Sequence, residues 1–266
     1  MGNADYYDNP DIANYFEAQE NFEADKPFYL KLLGAAPKSV LEVGSGTGRV
    51  SRVLSESGHH VTGVEQSKPM IEAALEHLDK EEIDSDRRPD YIHGDVLEDP
   101  PPGDKFDFVL IPEYTFGNFL DPAEQKKVLE YAKNALSDSG TLCLHLYLPD
   151  PAYFASLRLG HVGNGIREEV GTLSIEGIDK TVVVTKTNNY SRVTGNVHSE
   201  VFYDAVDPAG YVSRTIQHIA SHAFTPSEVR QLLETSGFKN IAMYGGFSFG
   251  PLTDSSFDMI ITESPN

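Results

Sequence analysis

Val40-Leu41-Glu42-Val43 runs straight into Gly44-Ser45-Gly46-Thr47-Gly48, and an amphipathic stretch, Arg49–Ser57, follows at once. Glycine at alternate positions permits positive φ and lets a ligand approach the backbone with no Cβ in the way. The helix that follows offers unpaired N–H groups at its N-terminus. A strand, a glycine loop and a helix in that order need a parallel partner strand, because the helix is the crossover. The spacing is G-x-G-x-G, one residue shorter at its second step than the G-x-G-x-x-G of dinucleotide-binding folds.

The alternation continues. Two helices are expected over 12–34, with Phe22, Phe28, Tyr29, Leu32 and Leu33 as apolar faces. Strands are expected at Ser39–Val43, His60–Val64, Tyr91–His93, Phe106–Ile111 and Thr141–Leu148. Between them lie helices at Pro69–Leu78 and Pro122–Leu136, the latter closed by DSGT. The expected fold is α/β: a Rossmann-like, seven-stranded, mostly parallel sheet with helices on both faces. From Asp150 the pattern changes. Glu168–Glu176, Thr181–Tyr190, Gly195–Ala205 and Gly210–Ser221 are rich in Val, Thr, Ile and Tyr, with turn residues between them. They read as an antiparallel meander. Thr225-Pro226 with Glu228 then starts a helix that Gly237 ends. Phe238–Gly245 and Phe257–Thr262 close the sheet. The expected division is therefore 1–150 with 222–266 as one domain, and 151–221 as an inserted β cap over substrate or, alternatively, a dimerisation ribbon.

The 266 residues, 39% of them hydrophobic, suffice for one sizeable core with a subdomain. A net charge of −20 speaks against nucleic acid and anionic membranes as partners. It implies a solvated acidic surface or, more sharply, attraction of cationic substrates. No apolar run approaches the roughly 18–20 residues that cross a bilayer. The acidic start, MGNADYYDNPDIANYF, is unlike a secretory signal. Cys143 stands alone in TLCLHLYL and reads as a buried hydrophobe. A cytoplasmic protein, monomer or homodimer, acting on a small molecule is expected.

Glu65 ends the second strand about twenty residues past the loop, where a carboxylate accepts from both hydroxyls of a ribose. Asp95, in His93-Gly94-Asp95-Val96, can accept from an adenine amine. The series VLEVGSGTGR, VTGVEQS, IHGDV and FDFVLIPEYTFGNF resembles the successive motifs of class I S-adenosylmethionine-dependent methyltransferases. The insertion and FTPSEVRQLLETSGF resemble the small-molecule subgroup that includes glycine and aminosugar N-methyltransferases. The resemblance implies that Gly44, Ser45, Gly46 and Gly48 line the methionine end of S-adenosylmethionine and that Glu42 supports the loop. It implies Glu65 on the ribose, Gln66 and Met70 beside ribose and adenine, and Asp95 and Val96 on the adenine edge. Pro112, after the fourth strand, joins the cofactor set. Met70 could equally fill a core gap.

Methyl transfer from a sulfonium is an in-line displacement that needs proximity, orientation and exclusion of water. Pro112-Glu113-Tyr114 departs from the Asn/Asp-Pro-Pro-Tyr/Phe pattern of methylases acting on planar nitrogens. Glu113 could attract a cationic amine, or be an exposed loop acid. Tyr114 and Phe119 could wall a pocket, or simply pack. His145 and Tyr147 share a strand face beside the expected methyl. His145 is a candidate general base, or a hydrogen-bonded structural residue. Glu113, Tyr114 and His145 are thus the catalytic candidates. The meander adds Tyr190, His198, Glu200, Tyr203, Arg214 and His218 as possible substrate contacts. The histidine spacing suits no metal site. The functional expectation is N- or O-methylation of a small molecule, releasing S-adenosylhomocysteine. The alternatives are a non-catalytic S-adenosylmethionine-binding protein and an NAD-dependent oxidoreductase.

Overall fold

The computed structural model describes residues 12, 13, 15, 23–80, 83–103, 105–150, 168–174 and 180–263. Of the expected features, Phe22, the last two residues of the strand Glu168–Glu176 and the Gly177–Asp179 turn lie outside them. Helix α1 spans Lys26–Leu33, β1 Ser39–Val43, α2 Arg49–Glu56, β2 His60–Glu65, α3 Lys68–Lys80, β3 Asp90–His93, β4 Phe106–Ile111, α4 Pro122–Ala135 and β5 Leu136–Tyr147. Four strands follow: β6 Glu168–Ser174, β7 Thr181–Tyr190, β8 Asn196–Val206 and β9 Val212–His222. Helix α5 (Pro226–Thr235), β10 (Ile241–Tyr244) and β11 (Asp258–Glu263) complete the chain.

The chain divides into two compact units. One comprises 22–148 with 224–266, and the other 149–223 with 1–21. The first holds a seven-stranded sheet of order β10-β11-β5-β4-β1-β2-β3. All its pairings are parallel except those of β11, which runs against β5 and β10. Strand order reverses at β1, which has β2 on one side and β4 on the other. The carboxyl ends of β1 and β4 therefore border the crevice where open α/β sheets take their ligands.

Period-two alternation loads both faces of this sheet. Leu41, Val43, Val109, Ile111, Leu142, Leu144, Met259 and Ile261 share one core with Val128, Leu129 and Ala132 of α4 and Val229 and Leu233 of α5. Val40, Phe108, Leu110, Cys143 and Ile260 share the other with Phe28, Tyr29 and Leu33 of α1 and Val50 and Leu54 of α2. Cys143 is a buried free thiol in that second core.

The second unit is one antiparallel sheet, β6-β7-β8-β9. Val182, Val184, Val201, Tyr203 and Ala205 form its core with Ile12 and Tyr15. The Tyr15 ring stacks on Tyr203 with centroids 4.6 Å apart. This contact groups the N-terminal stretch with the β unit, whereas the sequence suggested it belonged with the first domain.

Two element boundaries also differ from expectation. Strand β5 starts at Leu136, so Ser137–Gly140 is strand rather than turn. The pairing of β4 with β5 shifts register between Phe106 and Phe108, which absorbs those extra residues. Phe238 precedes its strand instead of starting it. Its N–H bonds to the Leu233 carbonyl while that of Gly237, at φ 84°, bonds to Glu234. These two bonds are a Schellman closure of α5. Phe238 is buried in the first core.

The Asp121 side chain accepts from the Ala123 N–H at 2.7 Å and completes a capping box with Glu124 at the start of α4. Asp121→Ala is expected to cost about 0.5–2 kcal/mol. A lowered denaturant midpoint at unchanged m-value, with the amides of Val128, Leu129 and Ala132 still protected from hydrogen exchange, is the result to look for.

Candidate cofactor and acceptor site

The loop after β1 is held by its neighbours. Gly44, Gly46 and Gly48 all have positive φ, at 73°, 54° and 82°. A Cβ on Gly44 would stand 2.5 Å from Thr115 Cγ2, and one on Gly48 would collide with the Tyr91 hydroxyl. Two of the three glycines are therefore required by the chain itself, beyond any need of a ligand. The Gly46 N–H donates to Glu65 Oε2 at 3.0 Å, and the Ser67 N–H to Oε1 at 2.8 Å. Burial raises the Glu65 carboxyl above its ordinary range against the lowering effect of these bonds. The Gln66 N–H lowers it as well, so three backbone donors act on the roughly four acceptor sites of the carboxylate and acceptor capacity remains.

Gln66 Nε2 donates to Asp95 Oδ2 at 3.1 Å, and the Leu97 N–H to Asp95 Oδ1 at 2.8 Å. These residues come together as the sequence suggested, on the ends of β2 and β3. Val96 is partly buried against the first core. Met70 is 2% exposed, a core residue of α3. Ser45 Oγ and Tyr29 Oη are buried and have no hydrogen-bond partner among the described residues. Unsatisfied buried hydroxyls are rare and costly, and a polar ligand would satisfy them. The donor and acceptor set therefore fits a nucleoside carrying a polar amino-acid tail.

Sequence reasoning missed the buried ion network below the loop. Both guanidinium nitrogens of Arg49 bond to the Asp25 carboxylate at 2.8 Å, and Nη2 also reaches Glu113 Oε2 at 3.2 Å. Asp25 is 0% and Arg49 6% exposed. One arginine thus ties α1, α2 and the segment after β4. The available signal was an arginine immediately after the glycine loop, where the helix must still be buried. Glu42, 2% exposed, accepts from the Ser51 hydroxyl. Burial lifts its carboxyl to about 8, although Ser51 and Arg49 pull the other way.

Glu113 and Tyr114 both have positive φ, 49° and 64°, and the Thr115 N–H bonds to the Pro112 carbonyl. Positive φ at both central positions is the form of a type I′ turn, which ordinarily takes Asn and Gly. His145 holds this turn twice. Its Nδ1 accepts from the Glu113 N–H at 3.2 Å, and its carbonyl accepts from the Tyr114 N–H at 3.1 Å. A backbone N–H can only donate, so the ring proton is on Nε2, which donates to Asp258 Oδ1 at 3.1 Å. The ring is 1% exposed, and Phe247 meets it edge-on at 4.8 Å. Both ring nitrogens are therefore engaged within the protein. Tyr114 Oη donates to the same Asp258 oxygen at 2.8 Å. Burial raises the Tyr114 phenol well above its usual range, as does the nearby carboxylate. Glu113 spends one carboxylate oxygen on Arg49. Phe119 is partly buried against the first core. In the β unit, Tyr203 is in the core, Arg214 pairs with Asp204, and His218 faces Glu200 at 3.7 Å.

Residues 40–140 match the family model described as a methyltransferase domain. Over those residues the chain is similar to a methyltransferase domain. The wider match includes the cypemycin N-terminal methyltransferase of a Streptomyces species, 26% identical over 84% of this chain and 82% of that protein. An uncharacterized methyltransferase of Bacillus pumilus is 30% identical over 140 residues, 52% of this chain. The match spans only 61% of the Bacillus pumilus protein and 40% of a related one from Anoxybacillus flavithermus. Among solved structures, the CcbJ methyltransferase of Streptomyces caelestis superposes with a TM-score of 0.74 at 18% identity over the whole of both chains. The sugar N-methyltransferase KedS8 of a Streptoalloteichus species gives 0.69 at 19% identity, over 95% of this chain and 91% of that one. At these identities the likeness is one of fold alone.

The Glu42 carboxyl carries a pH signature. An acid whose folded pKa is raised holds its proton longer when folded, so it destabilises the fold as pH rises from its unfolded value near 4.5 to about 8. Below that window it has no effect, and above it the loss is complete. Glu42→Gln should remove a loss on the order of a few kcal/mol. Urea midpoints between pH 5 and 9 should fall less steeply in the variant; identical slopes would show that Glu42 is not the titrating group.

Proposed function

We propose that the protein is an S-adenosylmethionine-dependent methyltransferase of a small molecule, and that the acceptor atom is nitrogen. The observation that carries the first part is the crevice at β1 and β4. There Glu65 keeps acceptor capacity, and Ser45 Oγ and Tyr29 Oη are buried without partners among the described residues. The acceptor assignment is supported by the relatives whose names specify nitrogen, the cypemycin N-terminal methyltransferase and the sugar N-methyltransferase KedS8.

When bound, S-adenosylmethionine supplies a methyl group on a sulfonium, whose carbon–sulfur pair returns to sulfur as the acceptor's lone pair takes the carbon. The protein's part is placement. Glu65 would hold the ribose hydroxyls, Asp95 with Gln66 the adenine, and the Gly44–Gly48 loop with Ser45 the methionine end. The turn Pro112–Tyr114 would face the reacting end. A buried free Cys143 suits a reducing cytoplasm. Among the described residues no helix is long and apolar enough to cross a membrane.

Calorimetric titration with S-adenosylhomocysteine tests the cofactor assignment. Native protein should bind it, and Glu65→Ala should bind at least about a hundredfold more weakly, through loss of two charge-assisted hydrogen bonds. Circular dichroism should show the variant folded. Unchanged affinity in a folded variant would remove Glu65 from the ribose, and no binding by the native chain would reject the function.

A further inference from the structure

Asp258 begins β11 and pairs in register with Tyr147 of β5. Alternation places it on the face that carries Ile260, Cys143 and His145. Its side chain is 21% exposed at the carboxyl end of β5. The Tyr114 hydroxyl, at 2.8 Å, and His145 Nε2, at 3.1 Å, both donate to Oδ1. Oδ2 has no hydrogen-bond partner among the described residues, and no Lys or Arg among them pairs with this carboxylate.

The donors on Oδ1 are a neutral imidazole and a phenol, so the charge is fixed in place without being neutralised. Burial raises the Asp258 carboxyl, but the His145 and Tyr114 hydrogen bonds outweigh it and leave the group below the ordinary carboxylate range. It is ionised at neutral pH. The other carboxylates of the first unit's ion network are treated differently, since Asp25 and Glu113 share the Arg49 cation.

Aromatic rings stand beside this charge. Tyr114 is 37% exposed and meets Tyr147 edge-to-face, with centroids 5.8 Å apart. The same Tyr114 ring lies 4.5 Å from His145. Ring faces attract cations, most strongly where water is partly excluded. A lone anion with an open oxygen, flanked by two tyrosines, is complementary to an alkylammonium group. It repels a carboxylate or phosphate and favours a charged donor over a neutral hydroxyl.

We propose that Asp258 is the acceptor-recognition residue, receiving the amine of the substrate on Oδ2 as an alkylammonium ion between the rings of Tyr114 and Tyr147. The assignment rests on the methyltransferase reading and adds the substrate class. A captured ammonium gives one proton to water before its nitrogen can attack, so Asp258 selects and orients the amine without serving as its base.

The test uses benzylammonium as probe and benzyl alcohol as its uncharged counterpart, each titrated into full-length protein saturated with S-adenosylhomocysteine. The His145 ring proton signals report binding. Native protein should show a saturable shift with benzylammonium and at least tenfold weaker binding of the alcohol. Asp258→Asn keeps an oxygen that accepts from Tyr114 and His145, so a merely structural Asp258 tolerates it. On the proposal this variant binds benzylammonium about ten- to a hundredfold more weakly, the span of one charge-assisted bond, with affinities for the alcohol and S-adenosylhomocysteine unchanged. Equal affinity of native and variant for benzylammonium overturns the proposal, as does equal affinity for the two probes or the absence of any saturable shift. If Asp258→Asn does not fold, Tyr147→Leu decides: it should weaken benzylammonium several-fold more than the alcohol, and parallel losses overturn the proposal. Failure of the native chain to bind S-adenosylhomocysteine overturns the methyltransferase reading and this assignment together; the other failures strike this assignment alone.

Discussion

The turn after β4 carries two consecutive non-glycine residues at positive φ, and much of the first unit's crevice is built to hold them there. Each such residue costs of order 1–3 kcal/mol unless its surroundings fix it. Glu113 is fixed through its N–H by His145 Nδ1 and through its carboxylate by Arg49. Tyr114 is fixed through its N–H by the His145 carbonyl and through its hydroxyl by Asp258. Thr115, next in line, fills the space that a Cβ on Gly44 would need. The glycine loop after β1 and the turn after β4 therefore fit each other, and a change in one is transmitted to the other through that contact.

This arrangement follows from alternation along the strands. On one face of the sheet β1, β4 and β5 stay apolar to their carboxyl ends, at Val43, Ile111 and Leu146. On the other, the apolar run gives way to polar groups at the edge of the crevice: Val40 then Glu42 on β1, Cys143 then His145 and Tyr147 on β5. Strand β11 runs the opposite way, so its first residue, Asp258, arrives at the same edge. Helix α1 and the segment before β11 close this side with aromatic rings, Phe28 stacking on Phe249 at 4.3 Å while Phe247 meets His145. The polar groups of the site are thus floored by a hydrophobic cluster and cannot shift without repacking it.

These facts also explain what the sequence revealed. The strands and helices of the first unit were legible because each alternates cleanly and is punctuated by Gly, Pro or a capping residue; Pro122 and Thr225 mark the starts of α4 and α5. The placement of Glu65, Gln66 and Asp95 was legible because it depends only on strand ends. The turn at Glu113 and Tyr114 was not, since neither residue type favours positive φ. Asp258 was invisible for a different reason: its neighbours come from β4 and β5, more than a hundred residues away, and one reversed strand brings it there. For His145 the strand face was correct, but periodicity cannot show that both ring nitrogens are already occupied. The seating of Tyr15 on Tyr203 was equally hidden, because nothing local in a short amphipathic stretch names the sheet that will receive it.

The acidic groups around the crevice complete the argument, because one sequence with a net charge of −20 has handled them in four ways. Glu42 is buried with a neutral partner and keeps its proton to about 8. Asp25 and Glu113 share a buried arginine. Glu65 is held by backbone N–H groups, which bond to it without adding positive charge, while burial raises its carboxyl. Asp258 is ionised against two neutral side-chain donors. The first leaves no demand for a cation, and the second sets one guanidinium against two carboxylates. The last two leave acceptor lone pairs to which donors from a ligand can bond. A ribose offers two neutral hydroxyls and matches Glu65, whose burial already disfavours added charge nearby. An amine offers a positive charge and matches Asp258, beside rings that favour it. The division of labour between cofactor and acceptor can therefore be derived from how each carboxylate is solvated, before any ligand is considered.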